Sequence, residues 1–170
     1  MALFGFMGVG KTAVGRTLSE RTGLEYVDLD SEIARRKGKT IPRIFEEEGE
    51  AGFRAVEMEV TREVAGRNGQ VISCGGGTVL DPENVASLRR SSVMVLLTAE
   101  PHVILERVEE EGDIRPLLMV EDKLGKIEHL LNARLPRYLE VADLILDTSE
   151  MTPEEAAVEI ISQIGDVDSA

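Results

Sequence analysis

Short apolar runs alternate along this chain with longer stretches whose apolar residues recur at helical spacing. Ala2 to Phe4, Tyr26 to Leu29, Val71 to Cys74, Val93 to Leu97 and Leu144 to Leu146 are each too short for a helix. They are mostly β-branched or aliphatic and lead into Gly, Asp, Thr or Pro, so each predicts a strand. Between them lie amphipathic segments. From Phe53 to Gly66, Val56, Val60 and Val64 form an i, i+4, i+8 stripe, while Arg54 and Glu57 share a different face. Thr152-Pro153-Glu154-Glu155 is a capping box with proline at the first helical position, and Ala157, Ile160, Ile161 and Ile164 follow as a core-facing stripe. Asp81-Pro82 opens another helix by the same logic.

Strands that are continuously apolar and separated by helices imply a parallel sheet covered on both faces. That is a doubly wound α/β architecture, whose ligands bind beyond the carboxyl ends of the strands. The chemistry is therefore expected just after each strand. Ala2 to Phe4 raises one difficulty, because so few residues precede the glycine that follows it. The expectation is a weakly paired first strand or a chain slightly truncated at its start.

Composition narrows the possibilities. At 170 residues, with 42% apolar and 30% charged positions, the chain fits one compact domain over 1–170. No repeat, low-complexity tract or linker interrupts it, and only Asp166 to Ala170 reads as a frayed tail. No apolar run approaches the ~18 residues that span a bilayer. The apolar start has no basic region and meets Lys11 early, which does not suit a secretory signal. One cysteine, Cys74, excludes an internal disulfide and suits a reducing cytoplasm, where it reads as buried filler. His102 and His129 fit no motif and read as surface residues. A net charge of −13 argues against nucleic acid as a partner. Solubility explains the acidity equally well, but an acidic protein acting on anions has to gather its few cations locally.

The candidate chemistry begins directly after the first strand. Gly5-Phe6-Met7-Gly8-Val9-Gly10-Lys11-Thr12 matches G-x-x-x-x-G-K-[ST] in full. Its glycines let backbone N–H groups turn inward around phosphates, Lys11 reaches the β- and γ-phosphates, and the Thr12 hydroxyl suits Mg²⁺. Helix follows at once through Ala13, Val14 and Leu18, so a helix N-terminus also faces the anion. Gly8, Val9, Gly10, Lys11, Thr12 and Ala13 are the candidate ATP-binding residues. The loop by itself specifies only a magnesium–nucleotide site.

Val27-Asp28-Leu29-Asp30 sets two carboxylates at the end of the second strand, where alternation points both the same way. One is placed to hold Mg²⁺ through water, and the other to accept the proton of an attacking hydroxyl. Asp30 also suits the N-cap of a helix beginning at Ser31, a role compatible with the first. Gly75-Gly76-Gly77 closes the third strand, leaving room for a substrate to approach the backbone or forming a tight turn. Spacing alone makes Arg54 and Arg134 surface arginines paired with nearby glutamates.

Taken together, GFMGVGKT, VDLD, IFEEEGEAGFRAVE, the triple glycine, RPLL and ARLPRYLEVAD resemble the shikimate kinase family from Gly5 to about Ser149. The resemblance implies a three-layer P-loop fold with a central, mostly five-stranded parallel sheet and a mobile lid at about 109–120. It implies a substrate-binding helical region at about 31–60, and phosphorylation of the 3-hydroxyl of shikimate by MgATP in aromatic amino-acid biosynthesis. Asp30 is then the catalytic base and shikimate ligand, Lys11 and Arg115 act on the transferring phosphate, and Thr12 and Asp28 serve the metal. Arg54 and Arg134 clamp the shikimate carboxylate, which reverses the surface reading, with the turn Gly75 to Gly77 against the ring hydroxyls. Glu57 orients Arg54, Phe45 and Phe53 wall the pocket, and Arg107 with Asp147-Thr148-Ser149 flanks the adenine. Ala13 stands where a hydroxyl is common in the family, and Glu109 to Glu111 make the approach to the lid unusually acidic.

The alternatives are a gluconate or nucleoside monophosphate kinase, which lacks the joint pattern of Asp28-x-Asp30, Arg54 and Gly75 to Gly77, and a nucleotide-binding regulatory module. The latter has no use for a base beside a carboxylate clamp. No oligomerisation signal is present, so a cytoplasmic monomer is expected.

Overall fold

The computed structural model describes residues 1–111 and 118–167. Within these residues five strands, β1 (Ala2–Phe4), β2 (Glu25–Asp28), β3 (Gln70–Ser73), β4 (Met94–Thr98) and β5 (Leu144–Asp147), form one sheet in the order β2-β3-β1-β4-β5. Every pairing is parallel. Among the described residues seven helices flank it: α1 (Lys11–Thr22), α2 (Leu29–Lys37), α3 (Ile41–Ala65), α4 (Pro82–Leu88), α5 (Pro101–Glu111), α6 (Lys123–Val141) and α7 (Pro153–Val167). A short 3₁₀ turn covers Thr78–Leu80. All five strands fall within one residue of the apolar runs that predicted them.

The expectation of a weakly paired first strand is wrong. Ala2, Leu3 and Phe4 are fully buried, and β1 is the central strand, paired with β3 on one side and β4 on the other. Backbone beyond the strand adds to this, since Ile72 N–H donates to Met1 O and Cys74 N–H to Leu3 O, both at 2.9 Å. A central position gives three residues two ladders of hydrogen bonds, which offsets their small number. The connections from β1 and β3 leave in opposite directions, so a crevice opens beyond their carboxyl ends.

Helices α2, α4, α6 and α7 start at side-chain caps. At α7, Glu155 N–H donates to Thr152 Oγ1 at 3.2 Å and Thr152 N–H to Glu155 Oε2 at 2.9 Å, a reciprocal capping box. At α4, Asp81 Oδ1 accepts from Glu83 N–H at 2.8 Å. Helix α3 extends back to Ile41 and is kinked at Gly49, whose φ of 69° and ψ of −177° break the helical run. Its buried face is Phe53, Glu57, Val60, Thr61 and Val64, with Val56 only half-buried, so a carboxylate sits on the inward side of the stripe.

Candidate active site

The phosphate-binding loop runs from β1 into α1. Gly8 and Gly10 take φ of 73° and 90°, in the left-handed region that glycine enters freely, and Gly10 is the N-cap of α1. A side chain at Gly5, φ 143°, would fall on the carbonyl of Leu97 in the neighbouring strand. The Lys11 ammonium donates to Phe6 O at 2.6 Å and Gly5 O at 3.1 Å, which holds it inside the curl of the loop.

A cavity of about 630 Å³ opens beside this loop at the crevice of the sheet. The carboxylates, arginines and glycines drawn from the sequence meet there: Lys11, Thr12, Asp28, Asp30, Arg54, Gly75 to Gly77 and Arg134 all line it. Phe45 and Phe53 form one wall, stacked with ring centroids 4.5 Å apart. The two aspartates arrive by different routes. Strand β2 ends at Asp28, so the alternation argument does not apply to Asp30, which lies in the first turn of α2. Asp28, not Asp30, is the N-cap; its backbone is extended, and its Oδ1 accepts from Ser31 N–H at 2.8 Å. Its Oδ2 accepts from the Tyr26 hydroxyl at 3.4 Å.

The three glycines after β3 all have ordinary backbone angles, and their value is room. A Cβ on Gly75 would stand 2.9 Å from Asp30 Oδ1, one on Gly76 3.3 Å from Arg134 Nη1, and one on Gly77 2.6 Å from Arg54 Nη2. Each glycine therefore admits one of the three charged side chains to the cavity. Arg54 donates to Glu57 Oε2 at 2.6 Å, and Glu57 is only 1% exposed. Arg134 lies over the Phe6 ring, 5.7 Å from its centroid, and donates to Gly76 O at 3.5 Å.

Other contributors were not drawn from the sequence. Tyr138, one helical turn after Arg134, is buried and donates its hydroxyl to Gly76 O at 2.6 Å. Its i, i+4 spacing from Arg134 was the available signal. Burial raises the pKa of Tyr138, so its hydroxyl stays a donor. Tyr26 stands near Thr12 and Ser73, whose hydroxyls favour its ionised form, but burial outweighs them and raises its pKa. Burial likewise pushes the Cys74 thiol far up, and the Lys11 charge only partly offsets it. His102 and His129 are exposed.

A second cavity, about 340 Å³, adjoins the first across Gly8, Gly10 and Ala13. Arg107 on α5 and Thr148 after β5 frame it. Arg107 donates to Thr148 O at 2.6 Å and Thr148 Oγ1 at 3.1 Å, while Thr148 Oγ1 donates to Val9 O at 2.9 Å. Ser149 instead faces Asp147 and the Glu100 N–H. Glu109 pairs with Lys123 at 2.8 Å, which moderates the acidity of that approach, and Glu110 lines the cavity. Arg115 and most of the expected lid, 112–117, lie outside the described residues.

The oxygen donors present suit a hard cation: the exposed Thr12 hydroxyl and the carboxylates of Asp28 and Asp30 line one cavity. Among the described residues no group of three or more His, Cys, Asp or Glu converges as a metal cage. A metal held here would draw most of its ligands from phosphate and water.

Two adjoining cavities across a G-x-x-x-x-G-K-T loop, on a parallel sheet of order β2-β3-β1-β4-β5, define a P-loop kinase. The family model described as shikimate kinase matches residues 7–165. The chain belongs to the shikimate kinase family. It is 46% identical over 162 residues to the shikimate kinase of Caldicellulosiruptor bescii, covering 95% of this chain and 93% of that one. The shikimate kinase of Thermus thermophilus is 43% identical over 164 residues, covering 96% and 89%. The structure of the shikimate kinase from Acinetobacter baumannii in complex with shikimate superposes with a TM-score of 0.90 at 39% identity, covering 97% of this chain and 92% of that one.

Proposed function

We propose that this protein transfers the γ-phosphoryl group of ATP to the 3-hydroxyl of shikimate, giving shikimate 3-phosphate and ADP for aromatic amino-acid biosynthesis. The observation that carries this reading is the convergence of Asp30, Arg54 and Arg134 on one cavity, each against its own glycine, beside the phosphate loop. Two guanidiniums suit a carboxylate, since each presents paired donors in a plane. An aspartate lining the same cavity suits the hydroxyl that attacks.

In this reading Arg54 and Arg134 hold the acceptor's carboxylate, and Glu57 orients Arg54. Gly75 to Gly77 keep the ring close to the backbone, with Phe45 and Phe53 along its side. Asp30 takes the hydroxyl proton as the new O–P bond forms and the bond to ADP breaks. The loop from Gly8 to Ala13 and Lys11 hold the donor phosphates, while Arg107 and Thr148 flank the base. Thr12 and Asp28 are the residues for Mg²⁺, the second through water; when bound, the ion neutralises charge on the phosphates. Arg115 is assigned to the transferring phosphate, and residues about 31–60 form the acceptor-binding region of a single domain over 1–170. A monomer in the cytoplasm is the matching state, checked by light scattering and cell fractionation.

The test is product formation from MgATP with shikimate, gluconate or nucleoside monophosphates. Shikimate 3-phosphate is expected from the first alone. Phosphorylation of a nucleotide or gluconate instead, or slow ATP hydrolysis whatever is added, overturns the reading.

A further inference from the structure

Beneath the Arg54 guanidinium lies a buried polar chain. Glu57 divides its carboxylate between two donors: Oε2 accepts from Arg54 Nη1 at 2.6 Å and Oε1 from Thr78 Oγ1 at 2.8 Å. Thr78 is fully buried in the 3₁₀ turn just after the triple glycine. Its carbonyl accepts in turn from Asn84 Nδ2 at 3.0 Å, and Asn84 is 1% exposed in α4.

A buried carboxylate has to keep its oxygens satisfied. With both engaged, Glu57 has one orientation and presents Oε2 to Arg54. Without the Thr78 hydroxyl, Oε1 would lose its buried donor, and rotation of the carboxylate or a shift of α3 would follow. Arg54 has somewhere else to go, because the exposed Glu50, one turn earlier on α3, stands 3.6 Å from its Nη2. The arginine is thus shared between a buried partner that aims it into the cavity and an exposed one on the other side. Gly77 gives it the space, and Thr78, a residue stiff at χ1, sets the buried partner.

We propose that Thr78 is a positioning residue for the acceptor clamp, holding Glu57 so that Arg54 points into the cavity, with Asn84 bracing Thr78 from α4. The role rests on the assignment of Arg54 to the acceptor's carboxylate. Thr78 does not line the cavity. It acts on acceptor affinity and leaves the donor site alone, which lies across the phosphate loop.

Steady-state kinetics on three variants test this. Thr78→Val keeps the shape and removes the hydroxyl, Thr78→Ala removes the hydroxyl and the γ-methyl together should valine disturb folding, and Thr78→Ser keeps the hydroxyl. The valine and alanine variants are expected to raise the KM for shikimate roughly tenfold. Their kcat and KM for ATP are expected to stay within about twofold of the parent, and serine to restore most of the loss. The carboxamide analogue of shikimate, which offers no carboxylate to clamp, should be used almost equally by parent and variants. Unchanged KM in the valine and alanine variants overturns the proposal. So does a loss of the same size for shikimate, carboxamide and ATP, which marks general loosening of the fold. Arg54→Ala run alongside separates the two levels. If it raises the KM while Thr78→Val does not, only the positioning role falls; if it leaves the KM unchanged, the clamp assignment falls and the proposal with it.

Discussion

At the scale of single residues, the site depends on atoms that are absent from three side chains. Asp30 and Arg54 occupy the space where the Cβ atoms of Gly75 and Gly77 would stand, and Arg134 crowds that of Gly76. The obstacles are movable tips of side chains, so substitution should cost function before stability. Gly77→Ala is expected to displace Arg54 and raise the KM for shikimate several-fold, with a melting temperature near that of the parent. A Cβ on Gly75 presses on Asp30 and also stands 3.3 Å from Thr78 Oγ1, so Gly75→Ala should lower kcat as well as raise the KM. Kinetics and thermal melts of the pair check this, and an unchanged kcat in Gly75→Ala would refute the division. Asp30→Asn should keep ATP affinity, read by titration calorimetry, while kcat drops by about a hundredfold or more. Turnover close to the parent's would remove Asp30 from the base role.

At the scale of elements, caps and ion pairs fix where helices begin and how they dock. The capping box of α7 has full geometry, so Thr152→Ala should lower stability by about 1 kcal/mol in denaturant melts. The junction of α2 and α3 is held differently. Lys37 pairs with Glu48 at 2.8 Å, Lys39 and Arg43 meet Glu47 at 2.5 and 2.6 Å, and Arg36 pairs with Glu63. Lys39 and Arg43 hold the Glu47 carboxyl down from its ordinary 4.5 to about 2. A carboxylate with a depressed folded pKa adds stability above its unfolded value, and that contribution disappears as pH falls through the folded one. The junction should therefore weaken between pH about 4.5 and about 2. Because these groups are exposed, the effect should be modest and should shrink in high salt. Thermal melts across that range, at low and high ionic strength, test it. In Glu47→Gln the dependence should flatten, and an unchanged slope would rule the pair out as its source.

At the scale of the whole molecule, a chain of net charge −13 assembles what the proposed function makes a site for two anions. It does so with a helix N-terminus, a glycine-rich loop and a few arginines and lysines gathered at one crevice of the sheet. The crevice exists because β1 lies between β3 and β4, and β1 is the buried centre on which both cavities depend. Leu3→Ala should cost about 2–5 kcal/mol and lower the melting temperature of the entire protein in one transition. A change confined to the loop, with global stability intact, would show that β1 is less central than its burial indicates.

By itself the sequence determined the strands, the capped helices and the phosphate loop, because each is written in local spacing and in residue types with strong backbone preferences. It also carried the family, through motifs spread from Gly5 to Ser149. Tertiary structure decided what depends on contacts distant in the chain. The length of Ala2 to Phe4 suggested weak pairing, yet neighbours on both sides make it the core of the sheet. Alternation put Asp30 on a strand, and the cap formed by Asp28 turned the chain into a helix two residues earlier than the expected start at Ser31. Nothing local to Glu57 or Thr78 marks them as partners. They lie 21 residues apart and meet only because α3 packs beside the turn after β3. Local physics chose the elements, and packing chose which of their side chains share a site.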